Sequence, residues 1–354
     1  MIVYIINIAF LILTAAILLT NDGIKSKKKI FIIIASIQWI ILSGFRHVSV
    51  GADTRQYGYL YEQAEYQEWI ELLKNFFSLK LLNSEELDYG YYLFQKTIHL
   101  ANINYQSYLI IIAIMFTVPL GIWIYKNSSG VLISYLIYST LFFSFFAITG
   151  LRQTLATAVA VLIGYEFVKK RNFPLFLITI LVAFTIHKSA LLFIIFYFVA
   201  NKKITKKYVS IILICVPLLF YFKENVSAFF KYIGGYEDYG IYEGAGTNTF
   251  TSMMLLIMIV ALWRKRKILE NNKNAIHFYN ALFISLLFLP LTYVNPSAMR
   301  VVQYFSIFII LLIPEIVKSF GVKERTLITY TSISVLLILF IRTNHSYLFF
   351  WQGG

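Results

Sequence analysis

The chain has 354 residues, of which 59% are hydrophobic and only 14% charged, with a formal net charge of +14. Soluble domains carry about a quarter charged residues, so a soluble globular protein is excluded. The basic residues stand in short clusters between long apolar runs, as in the loops of a membrane protein, which excludes a nucleic-acid-binding stripe. The one cysteine, Cys215, excludes a disulfide within the chain.

Met1 to Thr20 is the first apolar run. No basic residue precedes it, so it lacks the charged start of a secretory signal peptide and reads as a span. Lys25, Lys27, Lys28 and Lys29 follow. Placing them in the cytoplasm orients everything after them. The second span, about 30–45, runs outward to a segment, 46–105, that stays outside. Glu62, Glu65, Glu68 and Glu71 recur there every three residues, with Trp69, Leu72, Leu73 and Phe76 on another face. The spacing predicts an amphipathic helix at the membrane interface.

Spans three to five are expected at about 106–125, 130–148 and 154–168, with no charge anywhere from Asn127 to Leu151. Two short segments follow, at about 173–186 and 189–200, between the basic clusters Lys169–Arg171 and Lys202–Lys207. Both clusters belong inside, so the chain must enter the membrane and come back. Each leg is about 14 residues, roughly 21 Å of helix against a hydrocarbon core of about 30 Å. His187 at the apex is therefore expected below the outer surface, at the floor of a cavity. The remaining spans are expected at about 208–222, 250–263, 275–294, 300–317 and 326–341. Residues 223–249 form a second outer loop, rich in glycine and tyrosine, in which Tyr236, Tyr239 and Tyr242 are candidates for stacking on sugars.

The expected fold class is thus all-α: a single polytopic transmembrane domain over 1–354, with about twelve helices and both termini outside. Twenty of the 31 lysines and arginines fall in the short cytoplasmic loops of this threading.

Five polar features then share the outer face: Arg46-His47 with Gly51-Ala52-Asp53, Gly150-Leu151-Arg152-Gln153, His187-Lys188, Arg300, and the tyrosine-rich loop. Ionisable groups at such depths are costly and mark functional sites. Arg46 and Arg300 also fit simple interfacial anchors, Asp53 fits a turn cap before Thr54, and His187 fits a satisfied polar group between helices. Arg152, on a tight turn between two uncharged runs, fits anchoring least. Three arginines suit phosphate oxygens, and the basic cavity, lipid setting and aromatic loop suit a polyprenyl-diphosphate-linked glycan.

Several of these residues carry a resemblance. Phe45-Arg46, Gly51-Ala52-Asp53-Thr54, Tyr57, Tyr91-Tyr92-Leu93-Phe94, Leu151-Arg152-Gln153, Ile186-His187-Lys188-Ser189-Ala190 and Arg300 with Tyr304-Phe305 stand in this order. In that order the sequence resembles the EpsG-like, Wzy-type polymerases of bacterial exopolysaccharide and O-antigen synthesis. The resemblance implies a glycosyltransferase of the bacterial cytoplasmic membrane. Such an enzyme joins undecaprenyl-diphosphate-linked repeat units on the outer face, with flippase and chain-length regulator proteins as partners. Arg46, Arg152 and Arg300 are then nominated to neutralise the diphosphate. His187 is nominated as the base, with Asp53 as the second choice. No Asp-x-Asp pair or Cys/His cluster stands in the chain, so neither a metal nor another cofactor is expected.

Three other classes remain open: a flippase for lipid-linked sugars, a membrane acyltransferase acting on a glycan, and a ligase moving finished chains. A flippase predicts two related halves, which the sequence does not display. An acyltransferase predicts access to a donor that is often cytoplasmic, whereas the polar residues are expected outside.

Overall fold

The computed structural model describes residues 2–19, 25–51, 53–77, 88–234, 247–343 and 347–352. The architecture is helical, and among the described residues the backbone pairs outside helices in only one isolated bridge, Arg46 with Phe349.

The chain opens with α1 (Ile2–Leu18) and α2 (Lys25–Gly44). Tyr4, Ile8, Leu11 and Ala15 bury one face of α1, while Ile2, Ile6, Leu13 and Ile17 stay exposed on the other. On α2, Ile30, Ile33, Ile37 and Ile41 form a similar exposed stripe. Large apolar side chains exposed at helical spacing signify a lipid-facing surface rather than a water-facing one. Both helices thus belong to a protein built for the bilayer.

The segment expected to lie outside the membrane holds α3 (Thr54–Gln63), α4 (Trp69–Phe77) and α5 (Tyr89–His99). The glutamate-spaced helix expected here is broken: α3 ends before Glu65, and α4 begins after Glu68. The reason is tertiary. Lys96 of α5 donates from Nζ to the carbonyls of Ala64 (3.1 Å) and Glu65 (3.2 Å), capping α3 at its end. Its ammonium also lies 5.3 Å from the Trp69 ring centre. Beyond the break, α4 buries Leu72 and leaves Ile70 and Phe77 exposed.

Next comes α6 (Tyr105–Asn127), with the Asn104 side chain capping its first turn by accepting from the Ser107 amide. It runs antiparallel to α2: Gln106 bonds the carbonyl of Gly44, and Lys28 at the other end donates to that of Tyr125 (2.9 Å). After α7 (Val131–Ile137) the helix widens into π turns over Tyr138–Phe142 and Ser144–Thr149. Ser139 and Thr140 bond back to the carbonyls of Tyr135 and Leu136. Such bonds compete with the ordinary ladder. Then α8 (Leu151–Thr157) and α9 (Gly164–Lys169) flank a third π segment, Ala158–Ile163, in one continuous rod, Leu151–Lys169.

The two short legs form a hairpin. α10 (Phe173–Ile186) stops at His187, whose backbone is extended. A 3₁₀ stretch, Lys188–Phe193, and α11 (Ile194–Val199) lead back. Phe173 at the start of α10 lies 5.0 Å from the Tyr197 ring and 5.6 Å from the Phe198 ring, near the end of α11. The chain therefore reverses at His187, as the charge pattern requires.

The rest comprises α12 (Lys206–Tyr221), α13 (Lys223–Gly234), α14 (Asn248–Asn271), α15 (Ala275–Phe288), α16 (Met299–Ser306), α17 (Ile309–Lys318) and α18 (Val322–Thr343). The expected outer loop 223–249 thus begins as a helix, and Tyr236, Tyr239 and Tyr242 lie outside the described residues.

Helices occupy each of the twelve expected runs in order, but far fewer qualify as spans by themselves. Among the described residues, Tyr105–Asn127, Leu151–Lys169 and Ala275–Tyr293 are long and apolar enough to cross a membrane. A fourth follows if Pro296–Ser306 and Ile309–Lys318, bent by 48°, count as one. The others fall short for visible reasons. α1 and α10 have 17 and 14 residues. α2 and α14 carry lysines and arginines within their own length, Lys25–Lys29 and Arg264–Lys267.

The basic clusters converge on one end of the bundle. Lys28 reaches Tyr125, Lys169 bonds Asn127 (2.7 Å) and Glu166 (2.8 Å), Lys265 bonds the carbonyl of Ile204 (2.9 Å), and Arg264 Nε bonds Ser319 (3.1 Å). His277 ties these together, bonded through one ring nitrogen to Tyr165 and through the other to Asn201, both at 3.1 Å. Tyr4 and residues 347–350 lie at the opposite end. Tyr4 packs on Tyr347 at 5.4 Å, and residues 347–350 bond to Leu42, Phe45 and His47.

This arrangement is checked by labelling. In a Cys215→Ser background, Arg171→Cys and Lys203→Cys are expected to react with a membrane-impermeant maleimide from the same side. Labelling from opposite sides would replace the hairpin by a single crossing.

Candidate functional site

The end opposite the lysines is built around the start of the 46–105 segment. Gly51 has φ +101°, and a Cβ there would lie 2.4 Å from Ile148 Cγ2 and 2.9 Å from the Ile148 carbonyl. Only glycine tolerates that backbone and that approach. Thr54 then donates to the carbonyls of Val50 (2.7 Å) and Ile148 (3.2 Å). Gly51 and Thr54 thus form a clasp that holds the loop against the widened end of the 131–149 helix.

Arg46 belongs to the same clasp. It is fully buried, at 0% exposure, and its guanidinium donates to the carbonyls of Ser43 and Ile148. In this arrangement it faces no open space, and its donors are turned to the backbone rather than to the site. Asp53 sits at the N-cap position of α3 but makes no capping bond.

The partner that His187 does have is Asp88, a residue the sequence reading passed over. Its Oδ2 accepts from His187 Nδ1 (3.0 Å) and from Arg152 Nη1 (3.3 Å), and its Oδ1 accepts from the Lys188 amide (3.2 Å). Asp88 precedes α5 as its N-cap, yet caps nothing; its carboxylate is turned to α10 and α8 instead. Burial alone would push that carboxyl up. The bond and charge of His187, helped by Arg152 and the Lys188 amide, more than offset this and hold it below its ordinary value. It is therefore a carboxylate near neutral pH.

Gly90 makes this meeting possible. A Cβ at Gly90 would lie 2.4 Å from Thr185 Oγ1 and 2.7 Å from the Thr185 carbonyl. The first turn of α5 thus touches the last turn of α10, two residues from His187.

With Nδ1–H committed to Asp88, the lone pair of His187 resides on Nε2, by the logic that orients a catalytic imidazole. Nε2 is buried and, among the described residues, has no hydrogen-bond partner. Beside it, the Arg152 guanidinium lies 5.8, 5.4 and 5.4 Å from the ring centres of Tyr57, Tyr91 and Tyr92. Its Nη2 donates to the Tyr92 hydroxyl (3.3 Å). Its side chain keeps 22% exposure, so Arg152 meets the open side of the site.

Arg300 joins from α16. Gln153 bonds its carbonyl, and Ser189 pairs with Tyr304 one turn further along (3.3 Å). Burial pushes the Tyr57 phenol up, while Arg152 and Arg300 both draw it back. Among the described residues no carboxylate forms an ion pair with Arg300. The structure therefore brings Arg152 and His187 together with Asp88 and three tyrosines, with Arg300 joined to the neighbouring helix through its carbonyl and Gln153. A guanidinium ringed by tyrosines and an imidazole nitrogen with no hydrogen-bond partner among the described residues are groups that can hold an anion and accept a proton.

An all-helical, lipid-facing bundle with a polar site gathered at one end defines an integral membrane protein. Residues 29–352 match the EpsG family, covering nearly the whole chain, and the chain belongs to that family. Membership ties it to exopolysaccharide synthesis. Neither a curated protein nor a solved structure matches the chain.

Gly90→Ala is expected to force α5 away from α10, at about 1–3 kcal/mol for overpacking. A thermal melt in detergent reads this as a lowered midpoint. An unchanged melt would mean that the two helices have room to spare.

Proposed function

We propose that the chain is a glycosyltransferase that polymerises undecaprenyl-diphosphate-linked repeat units at the outer face of the bacterial cytoplasmic membrane. Its twelve apolar helical runs cross or dip into the bilayer, with the lysine-rich end in the cytoplasm by the positive-inside rule. The single observation that carries the reading is the Asp88–His187 pair, which leaves Nε2 unpaired beside Arg152.

The reaction follows from these atoms. An acceptor hydroxyl of the incoming lipid-linked unit attacks the anomeric carbon of the growing chain. A new C–O bond forms as the bond from that carbon to the diphosphate oxygen breaks. The hydroxyl proton passes to His187 Nε2, and Asp88 stabilises the resulting imidazolium. The electron pair leaves with the lipid diphosphate, whose charge is met by Arg152 and Arg300. Diphosphate is already a good leaving group, so no strong general acid is required. Arg46 is reassigned to holding the loop, and Asp53 is set aside as the base.

The lipid tail has a candidate berth. A groove of about 370 Å³ runs between α11, α12 and α15, from Lys202 and Tyr208 at one end to Val226 and Leu291 at the other. Its walls include Ile212, Leu219, Ile284 and Leu287, all apolar. A flippase would need polar side chains spread along a path through the bilayer, whereas Arg152, His187, Asp88 and Arg300 gather at one end.

Deleting the gene in its native host tests the reaction. The deletion is expected to leave single repeat units on the lipid carrier, and only the wild-type gene should restore the ladder of longer chains. His187→Ala should lower turnover by about 10²–10⁴-fold, the range for losing a general base. Long chains persisting in the deletion would remove the polymerase reading. For the groove, Leu287→Trp should raise KM for the long-chain lipid substrate and leave a short-chain analogue unaffected. Equal KM changes for both would place the tail elsewhere.

A further inference from the structure

Arg152 and His187 draw on the same carboxylate oxygen. Asp88 Oδ2 accepts from Nη1 of one at 3.3 Å and from Nδ1 of the other at 3.0 Å, while Oδ1 is taken by the Lys188 amide. The pairing with Arg152 is monodentate and long. Strong charge-assisted N–H···O bonds measure about 2.7–2.9 Å and are often made two at a time. Among the described residues Arg152 Nε has no partner, and Nη2 is held only by the Tyr92 hydroxyl at 3.3 Å. Its fork is thus incompletely used, and a phosphoryl group, with several oxygens on one centre, fits it better than this carboxylate does.

Building on the diphosphate reading above, we infer that Asp88 is a shared latch: the lipid diphosphate takes Arg152 away from it, and this transfer arms His187. Asp88 neutralises a half-buried guanidinium, and its charge is divided between that cation and the Nδ1–H of the neutral His187 ring. With the diphosphate in place, Arg152 turns to the anion beside Arg300. The whole charge of Asp88 then faces the Nδ1–H of His187. That favours the imidazolium formed as Nε2 accepts the hydroxyl proton. The base reaches full strength only when the leaving group is seated.

The other groups around the latch do not replace Asp88. Tyr57, Tyr91 and Tyr92 surround the Arg152 guanidinium from α3 and α5, and the Lys188 amide meets Asp88 from the turn after α10. Asp53 lies nearby at the start of α3, and among the described residues only Asp88 forms an ion pair with Arg152. Asp88 is therefore a positioning residue with two clients.

Coupling between sites is reciprocal. If the anion releases Asp88 to His187, then discharging Asp88 must release Arg152 to the anion. Asp88→Asn is nearly isosteric and removes only the charge. Titration calorimetry of the full-length protein in detergent with a short isoprenyl diphosphate should show Asp88→Asn binding about fivefold or more tightly than wild type. Its turnover should still fall by about 10²-fold. Tighter binding with slower turnover is a split that a merely structural role does not produce. Turnover lost with binding unchanged or weaker would overturn the latch while leaving the diphosphate reading intact. Arg152→Ala binding the diphosphate as tightly as wild type would overturn that reading itself. A structure of the wild-type protein with the isoprenyl diphosphate gives a variant-free check. Arg152 should stand beyond the ion-pair limit of about 4 Å from Asp88 while His187 stays bonded. Arg152 still paired with Asp88 in the loaded site would refute the latch.

Discussion

One buried carboxylate holds the working end of this protein together. Asp88 joins the start of α5, the apex of the α10–α11 hairpin and the start of α8 through three bonds. A carboxylate removed from water is costly unless its oxygens are paired. The segments carrying His187, Lys188 and Arg152 must therefore meet at one point for the charge to be tolerated. Gly90 clears the space, and the clasp of Gly51 and Thr54 on Ile148 sets the loop at the height from which Asp88 can reach. The site exists because that one charge has to be satisfied.

The bundle gives this cluster a floor. α10 has only 14 residues and turns back at His187, so the imidazole sits where two short legs meet and where a full-length helix would have carried it away. The returning leg is stiffened by rings, with Phe176 stacked on Tyr197 and Phe193 on Phe196. Aromatic contacts of this kind contribute about 0.5–1.5 kcal/mol each beyond burial. At the far end the lysines and arginines bond to carbonyls and amide side chains of their neighbours, Lys169 adding a carboxylate. The two ends therefore differ in kind: one is a basic rim, and the other is a polar cluster with an imidazole nitrogen that has no partner among the described residues.

Arg46 and Arg152 show why an arginine cannot be assigned from its position along the chain. Both follow long apolar runs on the same expected side. Arg46 is spent on the backbone carbonyls of Ser43 and Ile148, because the π turns ending at Thr149 present a carbonyl that the normal ladder would have used. Arg152 lies beyond the tight turn at Gly150 and projects among tyrosines instead. The two differ only in which backbone groups lie within reach, and that is a property of packing.

Sequence alone determined that the chain is helical and made for a bilayer, where its basic clusters lie along it, and that it doubles back near His187. These follow from composition and from the cost of burying charge, which leave their mark in the order of residue types. It also picked out Arg152, His187 and Arg300, because ionisable residues inside apolar sequence stand out. It could not single out Asp88, which sits in a stretch already rich in polar residues, where one more acid carries no signal. Nor could it tell that lysine caps would break the glutamate-spaced helix, or that few of the expected spans would be long and apolar enough to cross by themselves. Those outcomes depend on which segments touch. Residues 88 and 187 are 99 positions apart, and only the tertiary structure decides which distant carboxylate a buried imidazole will find.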